Sequence, residues 1–170
     1  MQRVLVIGCS GAGKSTFGRQ LATMLGLPLI HLDQHFWRPG WQTPERQEWR
    51  EQVVALAGEP AWIMDGSYAN TFDIRMPRAD TLIWLDHPRS VCVRRVLMRT
   101  LAGYGRTRAD LPENCPERFN LAFLRYVWKF HKQQRPRIES GIKTYGGHLR
   151  VVILRNDHAV KSFLASAGTA

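Results

Sequence analysis

A chain of 170 residues with 44% hydrophobic composition has enough apolar side chains for one well-packed core and too few for two ordinary domains. It has no apolar run long enough to span a membrane and no basic, apolar, then small-residue leader at its start, which predicts a soluble cytoplasmic protein with no membrane partner. Its net charge of +10 is lopsided, with 16 Lys/Arg against 5 Asp/Glu in residues 87–170 and 8 against 9 before them, and 19 of the 24 cations are arginine, which suits a polyphosphate, a nucleic acid or a membrane surface as partner.

The apolar run Val4-Leu5-Val6-Ile7 predicts a buried strand. It leads into Gly8-Cys9-Ser10-Gly11-Ala12-Gly13-Lys14-Ser15-Thr16, ahead of a helical pattern from Phe17 to Leu25. Every fixed position of G-x-x-x-x-G-K-[ST] is filled, in the strand, loop and helix setting that a P-loop requires. Glycines let the backbone curl its N–H groups around a phosphate, and the helix N-terminus adds its dipole. Lys14 reaches the β and γ oxygens, and Ser15 offers its hydroxyl to Mg²⁺. Gly8, Ser10, Gly11, Ala12, Gly13, Lys14, Ser15 and Thr16 are therefore the expected nucleotide-binding residues, with ATP and Mg²⁺ as cofactors.

Gly26-Leu27-Pro28 stops the helix, and Leu29-Ile30-His31-Leu32 reads as a second strand that delivers Asp33 at its C-terminal end. Gln34 to Gln42 reads as a shaped loop; its Phe36, Trp37 and Trp41 either plug the core or line a substrate pocket, beside Arg38, Pro39 and Gly40. Thr43 as N-cap and Pro44 at the first position predict a helix burying Trp49, Val53, Leu56 and Ala57, closed by Glu59-Pro60. Ala61 to Met64 is a third strand ending at Asp65-Gly66, with Ser67 and Tyr68 beyond and Arg75 and Arg78 near the same edge. Thr81 to Leu85 is a fourth strand, ending at Asp86, which either neighbours the next helix or binds Mg²⁺.

Pro88 opens a helix to about Ala102 that sets Arg95 and Arg99 on one face. Breaks at Gly103, Gly105, Pro112 and Pro116 predict a mobile loop carrying Arg106 and Arg108. A helix from Glu117 to about Gln134 is expected to pack Phe119, Phe123, Tyr126, Val127 and Phe130, leaving Arg125, Lys129 and Lys132 on a basic side. Arg135-Pro136-Arg137 is expected to interrupt it before a shorter helix to Tyr145, a fifth strand Arg150 to Leu154 and a last helix. Cys9, Cys92 and Cys115 are odd in number and lack C-x-x-C spacing, which suggests neither a disulfide framework nor a zinc site.

Five apolar strands separated by helices predict an α/β, three-layer P-loop NTPase fold. Its parallel sheet of order 2-3-1-4-5 would carry helices on both faces and a mobile helical lid. One domain is expected over 1–170, with an acceptor-binding subregion at about 33–60 and a lid at about 100–137. Asp33 and Asp65 can hold Mg²⁺ waters, orient an acceptor, or cap the loops they begin. Arg75 can grip an acceptor anion or pair with Asp73 or Asp80. Arg95, Arg99 and Arg135 flank a loop able to close over phosphates, where neutralising charge is the main catalytic task.

Asp65-Gly66, and Leu85-Asp86-His87-Pro88 followed by Arg95 and Arg99, resemble adenylate-kinase-related P-loop kinases, in which the first such arginine lies against adenine and the second contacts phosphates. A resemblance to topology-modulation (FlaR-type) proteins covers nearly the whole chain. It rests on Ile30-His31-Leu32-Asp33, Phe36-Trp37-Arg38-Pro39-Gly40-Trp41, Trp62-Ile63-Met64-Asp65-Gly66-Ser67-Tyr68, Asp73-Ile74-Arg75, Gly105-Arg106-Thr107-Arg108, Cys115-Pro116-Glu117 and Arg135-Pro136. With the motifs, it implies an ATP- and Mg²⁺-dependent kinase of a small acceptor, a nucleoside monophosphate or another compact metabolite. Lys14 would stabilise the transferring phosphoryl, Ser15 and, through water, Asp65 would serve Mg²⁺, and Asp33 or Asp65 would position the acceptor. Arg95 and Arg99 would clamp ATP, Arg135 would join on lid closure, and Asn156 would pass near adenine. Asp33, Trp37, Arg38, Gly66, Tyr68 and Arg75 are the expected acceptor contacts. The Ser67-Tyr68-Ala69 that follows Asp65-Gly66 departs from the Phe-Pro-Arg of adenylate kinases. The alternative is a nucleic-acid-associated P-loop NTPase, acting in DNA topology modulation, whose mark would be a basic stripe with exposed aromatics. A blander reading is a P-loop protein that hydrolyses ATP slowly and has no acceptor site.

Overall fold

The computed structural model describes residues 1–167. Strands β1 (Arg3–Gly8), β2 (Leu29–His31), β3 (Trp62–Asp65), β4 (Thr81–Leu85) and β5 (Arg150–Leu154) form one parallel sheet in the order β2-β3-β1-β4-β5. Residues of β1, β3 and β4 from Val4 to Ile7, Trp62 to Met64 and Leu82 to Leu85 are buried on both faces, which is why they read as unbroken apolar runs. The helices are α1 (Lys14–Leu25), α2 (Leu32–Phe36), α3 (Arg46–Gly58), α4 (Phe72–Arg75), α5 (Arg89–Gly103), α6 (Leu121–Tyr145) and α7 (Asp157–Ala167). α1 packs on α7 and α5 on α6, completing the P-loop α/β arrangement. From β1 the chain moves outward through α1 to β2, and from β3 it returns across β1 to β4. This reversal leaves a crevice beyond the C-terminal ends of β1 and β3. Register sets Gly8 level with Leu85 and Val6 level with Asp65, so the glycine loop and the carboxylate open onto that crevice.

Several local expectations are corrected. β2 stops at His31, and Asp33 stands in the first turn of α2, which occupies the start of the stretch read as a loop. α3 begins at Arg46 with Glu45 as its N-cap, so Thr43 and Pro44 lie outside it. α6 is a single helix with Pro136 inside. A mid-helix proline costs about 3 kcal/mol, and tertiary packing offsets it here. Beyond the proline, Ile138 and Gly141 are buried, and a Cβ on Gly141 would stand 2.8 Å from the Phe72 ring. Asn120 accepts from Phe123 N at 3.1 Å and starts α6 only at Leu121. Phe119 consequently precedes the helix and is exposed, as is Trp128, whose ring carries the Arg89 guanidinium at 4.3 Å. Residues 104–120, the middle of the expected helical lid, hold no helix; bridges pair Tyr104 with Glu117 and Thr107 with Pro116. The three cysteines are buried and free. Among the described residues no helix is long and apolar enough to cross a membrane.

Candidate active site

The glycine loop lies directly against its neighbours. A Cβ on Gly8 would meet the Leu85 carbonyl oxygen at 2.5 Å, and one on Gly11 would meet that of Cys92 at 2.4 Å. Gly13, at φ 94°, caps α1 and aims the helix N-terminus into the crevice. Ser67 Oγ donates to Gly8 O at 2.8 Å and accepts from Gly8 N at 3.1 Å, pinning the loop's first residue to the turn after β3. Lys14 Nζ donates to Cys9 O at 3.2 Å. A glycine cradle too tight for side chains, a helix N-terminus, an ammonium and the Ser15 hydroxyl are the donor set that Mg²⁺-bound triphosphate needs, so the residues fit ATP and Mg²⁺.

A cavity of about 1020 Å³ extends from this loop. Its walls include Gly8, Ser10, Gly11, Gly13, Lys14, Ser15 and Thr16, with Asp33, Trp37, Asp65, Gly66, Tyr68, Arg95 and Arg99. A smaller cavity of about 290 Å³ is lined by Ala12, Gly13, Thr16, His87, Arg95 and Asp157. Most of the expected site residues are thus brought together.

The two expected carboxylates are not equivalent. Asp65 faces His31 across the β2–β3 pair, with Oδ2 2.9 Å from Nδ1. Burial pulls the His31 pKa down, but the hydrogen bond and charge of Asp65 outweigh it and hold the imidazole above its ordinary value. Asp33 Oδ1 accepts the Tyr68 hydroxyl at 2.6 Å. Burial raises the Asp33 pKa most, and the Tyr68 bond and Lys14 charge only partly pull it back. Burial also pushes the Tyr68 phenol upward, so it remains a donor.

Residues 104–120 lie across both the P-loop and the stretch from Gln34 to Trp41. Asp110 Oδ2 accepts from Ser15 Oγ at 2.9 Å and is 2.9 Å from Arg108 Nη1. Buried Glu117 stands 2.8 Å from Arg108 Nε and 2.9 Å from Arg99 Nε, and it accepts from Thr100 Oγ1 at 3.2 Å. Burial foremost, and then the like charge of Arg108, lowers the Arg99 pKa. Gln34 Nε2 donates to Ala109 O at 2.6 Å, and Trp41 Nε1 to Pro116 O at 3.2 Å.

Four expected site residues stand elsewhere. Arg75 is fully buried and spends its donors on Thr71 Oγ1 and the carbonyls of Gly66, Ser67 and Tyr68, so it cannot meet an acceptor anion. Arg38 pairs with Glu48 on the surface. Arg135 is tied to Asp86 at 3.1 Å and Glu139 at 2.9 Å, away from both cavities. The same contact commits Asp86 to an arginine. Asn156 lines neither cavity; it caps α7 by accepting from Ala159 N at 2.8 Å. Arg95 does line both cavities, with Nη2 2.7 Å from each Asp157 oxygen. Sequence reasoning missed Ser67, Asp110, Glu117 and the cavity-lining Arg118. The one local signal was Arg108 two residues before Asp110, inside a segment read as mobile.

Fold and loop geometry together define a P-loop α/β protein. Among solved structures, the chain is similar to shikimate kinase from Acinetobacter baumannii in complex with shikimate, at TM-score 0.60 and 16% identity over 98% of this chain and 90% of that one. It is also similar to a gluconokinase from Sinorhizobium meliloti 1021, at TM-score 0.55 and 19% identity over 99% and 90%. Shikimate kinase from Aquifex aeolicus vf5 aligns at TM-score 0.56 and 16% identity over 96% and 94%. At these identities the likeness is one of fold. No protein-family model and no curated protein matches the chain by sequence.

Proposed function

We propose that the chain is an ATP- and Mg²⁺-dependent kinase of the adenylate-kinase-related group, with topology-modulation (FlaR-type) affinity, that phosphorylates a hydroxyl of a small acceptor beside Asp33. The observation that carries this reading is Asp33 itself: a half-buried carboxylate oriented by the Tyr68 hydroxyl at 2.6 Å, sharing one cavity with Lys14, its pKa raised by its surroundings. A hydroxyl acceptor must lose a proton, and a carboxylate of raised basicity suits that task. A nucleoside monophosphate would instead bring a second anion to Asp33, and Arg38 and Arg75, the arginines expected to hold it, are committed elsewhere.

In this reading residues 33–60 form the acceptor subregion and 100–137 the lid. The acceptor oxygen bonds to the γ-phosphorus as its proton passes to Asp33, and the bond from phosphorus to the ADP oxygen breaks. Lys14 follows the transferring phosphoryl, and Arg95, Arg99 and Arg108 neutralise its equatorial oxygens. Mg²⁺ held at Ser15 would draw charge from the β and γ oxygens. Asp65 and His31 hold the floor between β2 and β3.

The test is ADP release and acceptor phosphorylation with purified protein, ATP and Mg²⁺. Lys14→Ala should abolish transfer with an unchanged melting temperature. Asp33→Asn should lower acceptor-dependent turnover about 10²- to 10⁴-fold while nucleotide still binds. Parental turnover in Lys14→Ala would sink the kinase reading; parental turnover in Asp33→Asn would move the base elsewhere.

A further inference from the structure

Three groups of rings lie on the acceptor side. Phe36, Trp49 and Tyr68 stand 4.8 to 5.1 Å apart, and Trp49 is 1% exposed, so this group fills the core. Trp37 extends it toward the cavity, its ring edge to face with Phe36 at 5.0 Å, and Trp41 follows. They are half-buried, meet edge to face at 5.2 Å, and both line the larger cavity. Phe123 and Tyr126, from the first turns of α6, line the same cavity with their rings 22° from parallel and 6.2 Å apart.

The Trp41 ring is held there against a conformational cost. Its φ of 63° lies in the left-handed region that large side chains rarely adopt. Several contacts hold the turn: Arg38 N donates to Gln42 O at 2.9 Å, Gly40 N to Asn114 O at 3.0 Å, and Trp41 Nε1 to Pro116 O at 3.2 Å. The Arg118 guanidinium lies 5.9 Å from the centre of the same ring. Ring faces offer hydroxyl groups no ordinary hydrogen-bond partner, so a polyol among them would depend on the cavity's polar side chains, such as Asp33, Arg118 and Asn120, to replace its bonds to water. A flat ring gains stacking from the same surfaces.

We propose that the acceptor is a flat-ringed alcohol, an aromatic or heteroaromatic compound whose hydroxyl reaches Asp33 while its ring stacks among Trp37, Trp41, Phe123 and Tyr126. Arg118 meets an anionic substituent or the ring's face. This inference rests on the kinase reading above.

ADP release with ATP and Mg²⁺ is compared for two acceptor sets: adenosine, uridine and pyridoxine as ring-bearing alcohols, and shikimate, gluconate and glycerol as polyols without an aromatic ring. Saturable stimulation by the first set and not the second is expected. With the best ring-bearing acceptor, Trp37→Ala and Trp41→Ala should each raise KM about tenfold or more, with kcat little changed. Trp41→Phe should recover most of the loss. Stimulation by polyols alone, or parental KM in both alanine variants, overturns the ring-bearing acceptor and leaves the kinase reading standing. Stimulation by neither set also overturns it; if Lys14→Ala then matches the parent in ADP release, the kinase reading falls as well.

Discussion

Replacing Arg75 distinguishes an arginine that builds the proposed acceptor site from one that would touch the acceptor. Its guanidinium is 0% exposed and donates to Thr71 Oγ1 at 2.9 Å, Gly66 O at 3.0 Å, Ser67 O at 2.8 Å and Tyr68 O at 3.0 Å. Those carbonyls belong to the turn that carries Ser67 to Gly8 and Tyr68 to Asp33. Burial pushes its pKa down to about 9, which leaves it charged at neutral pH. Arg75→Met keeps the apolar stem and strands the carbonyls of Gly66 and Ser67, while that of Tyr68 keeps the Thr71 hydroxyl at 2.9 Å and amide at 3.0 Å. Each lost bond to a charged donor is worth about 1.5–3 kcal/mol, partly offset because a buried cation is no longer desolvated. A net loss of roughly 3–5 kcal/mol follows, comparable to breaking a buried ion pair. For a chain of this size that lowers Tm by roughly 6–20 °C. The assay is a circular-dichroism melt beside acceptor kinetics at a temperature where the variant remains folded. Because the turn also orients Tyr68 and Asp33, kcat should fall with stability. A variant melting within about 2 °C of the parent with unaltered kcat refutes the reasoning. One that melts normally but loses acceptor affinity would restore a direct anion contact.

Asp110→Asn removes a negative charge from the Ser15 hydroxyl and from Arg108. Metal-free ADP should then bind about fivefold or more tightly, and added Mg²⁺ should strengthen binding less than in the parent, both read by calorimetry; unchanged affinities in both conditions would refute this role. His31 gives the pH dependence of stability. Its folded pKa lies above the unfolded value of 6.5, so its pairing with Asp65 stabilises fully below pH 6.5 and is lost as pH rises through the folded pKa. His31→Gln should flatten that decline in Tm, and an identical decline in the variant would place the titrating group elsewhere.

The strands and the glycine loop were legible because their signals are local: unbroken apolar runs for a sheet buried on both faces, and a motif with fixed spacing. Arg75 was not, because its satisfaction comes from carbonyls, which every residue carries and no sequence pattern marks. The carboxylates nearest to it in sequence are engaged otherwise, Asp73 by Arg50 at 2.6 Å and Asp80 by the backbone of Gln2 and Arg3 at 2.6 and 2.8 Å. Pro136 predicted a break that the packing of Ile138 and Gly141 overrides. Asp110 reaches Ser15 across 95 residues of chain, and glycines and prolines around it signalled only the absence of regular structure.

The charge arrangement around Glu117 bears on the proposed phosphoryl transfer. Arg99 and Arg108 share Glu117, one carboxylate for two guanidinium groups, and Asp110 against Arg108 brings the four-residue cluster to neutrality. The arginines are therefore held in place at the cavity wall without a net positive charge while Asp110 stays on Arg108. Moving Asp110 away from Arg108 leaves one positive charge in excess, beside Lys14, where the transferring phosphoryl would need it. Lysines could not hold this arrangement as well, because each guanidinium must keep one edge on a carboxylate and another on the cavity. The arginine-rich composition of the second half of the chain is thus used in part inside the site, by Arg95, Arg99, Arg108 and Arg118. Exposed cations also remain on the outer surface, Arg125 and Lys132 of α6 among them, within four residues of exposed Trp128.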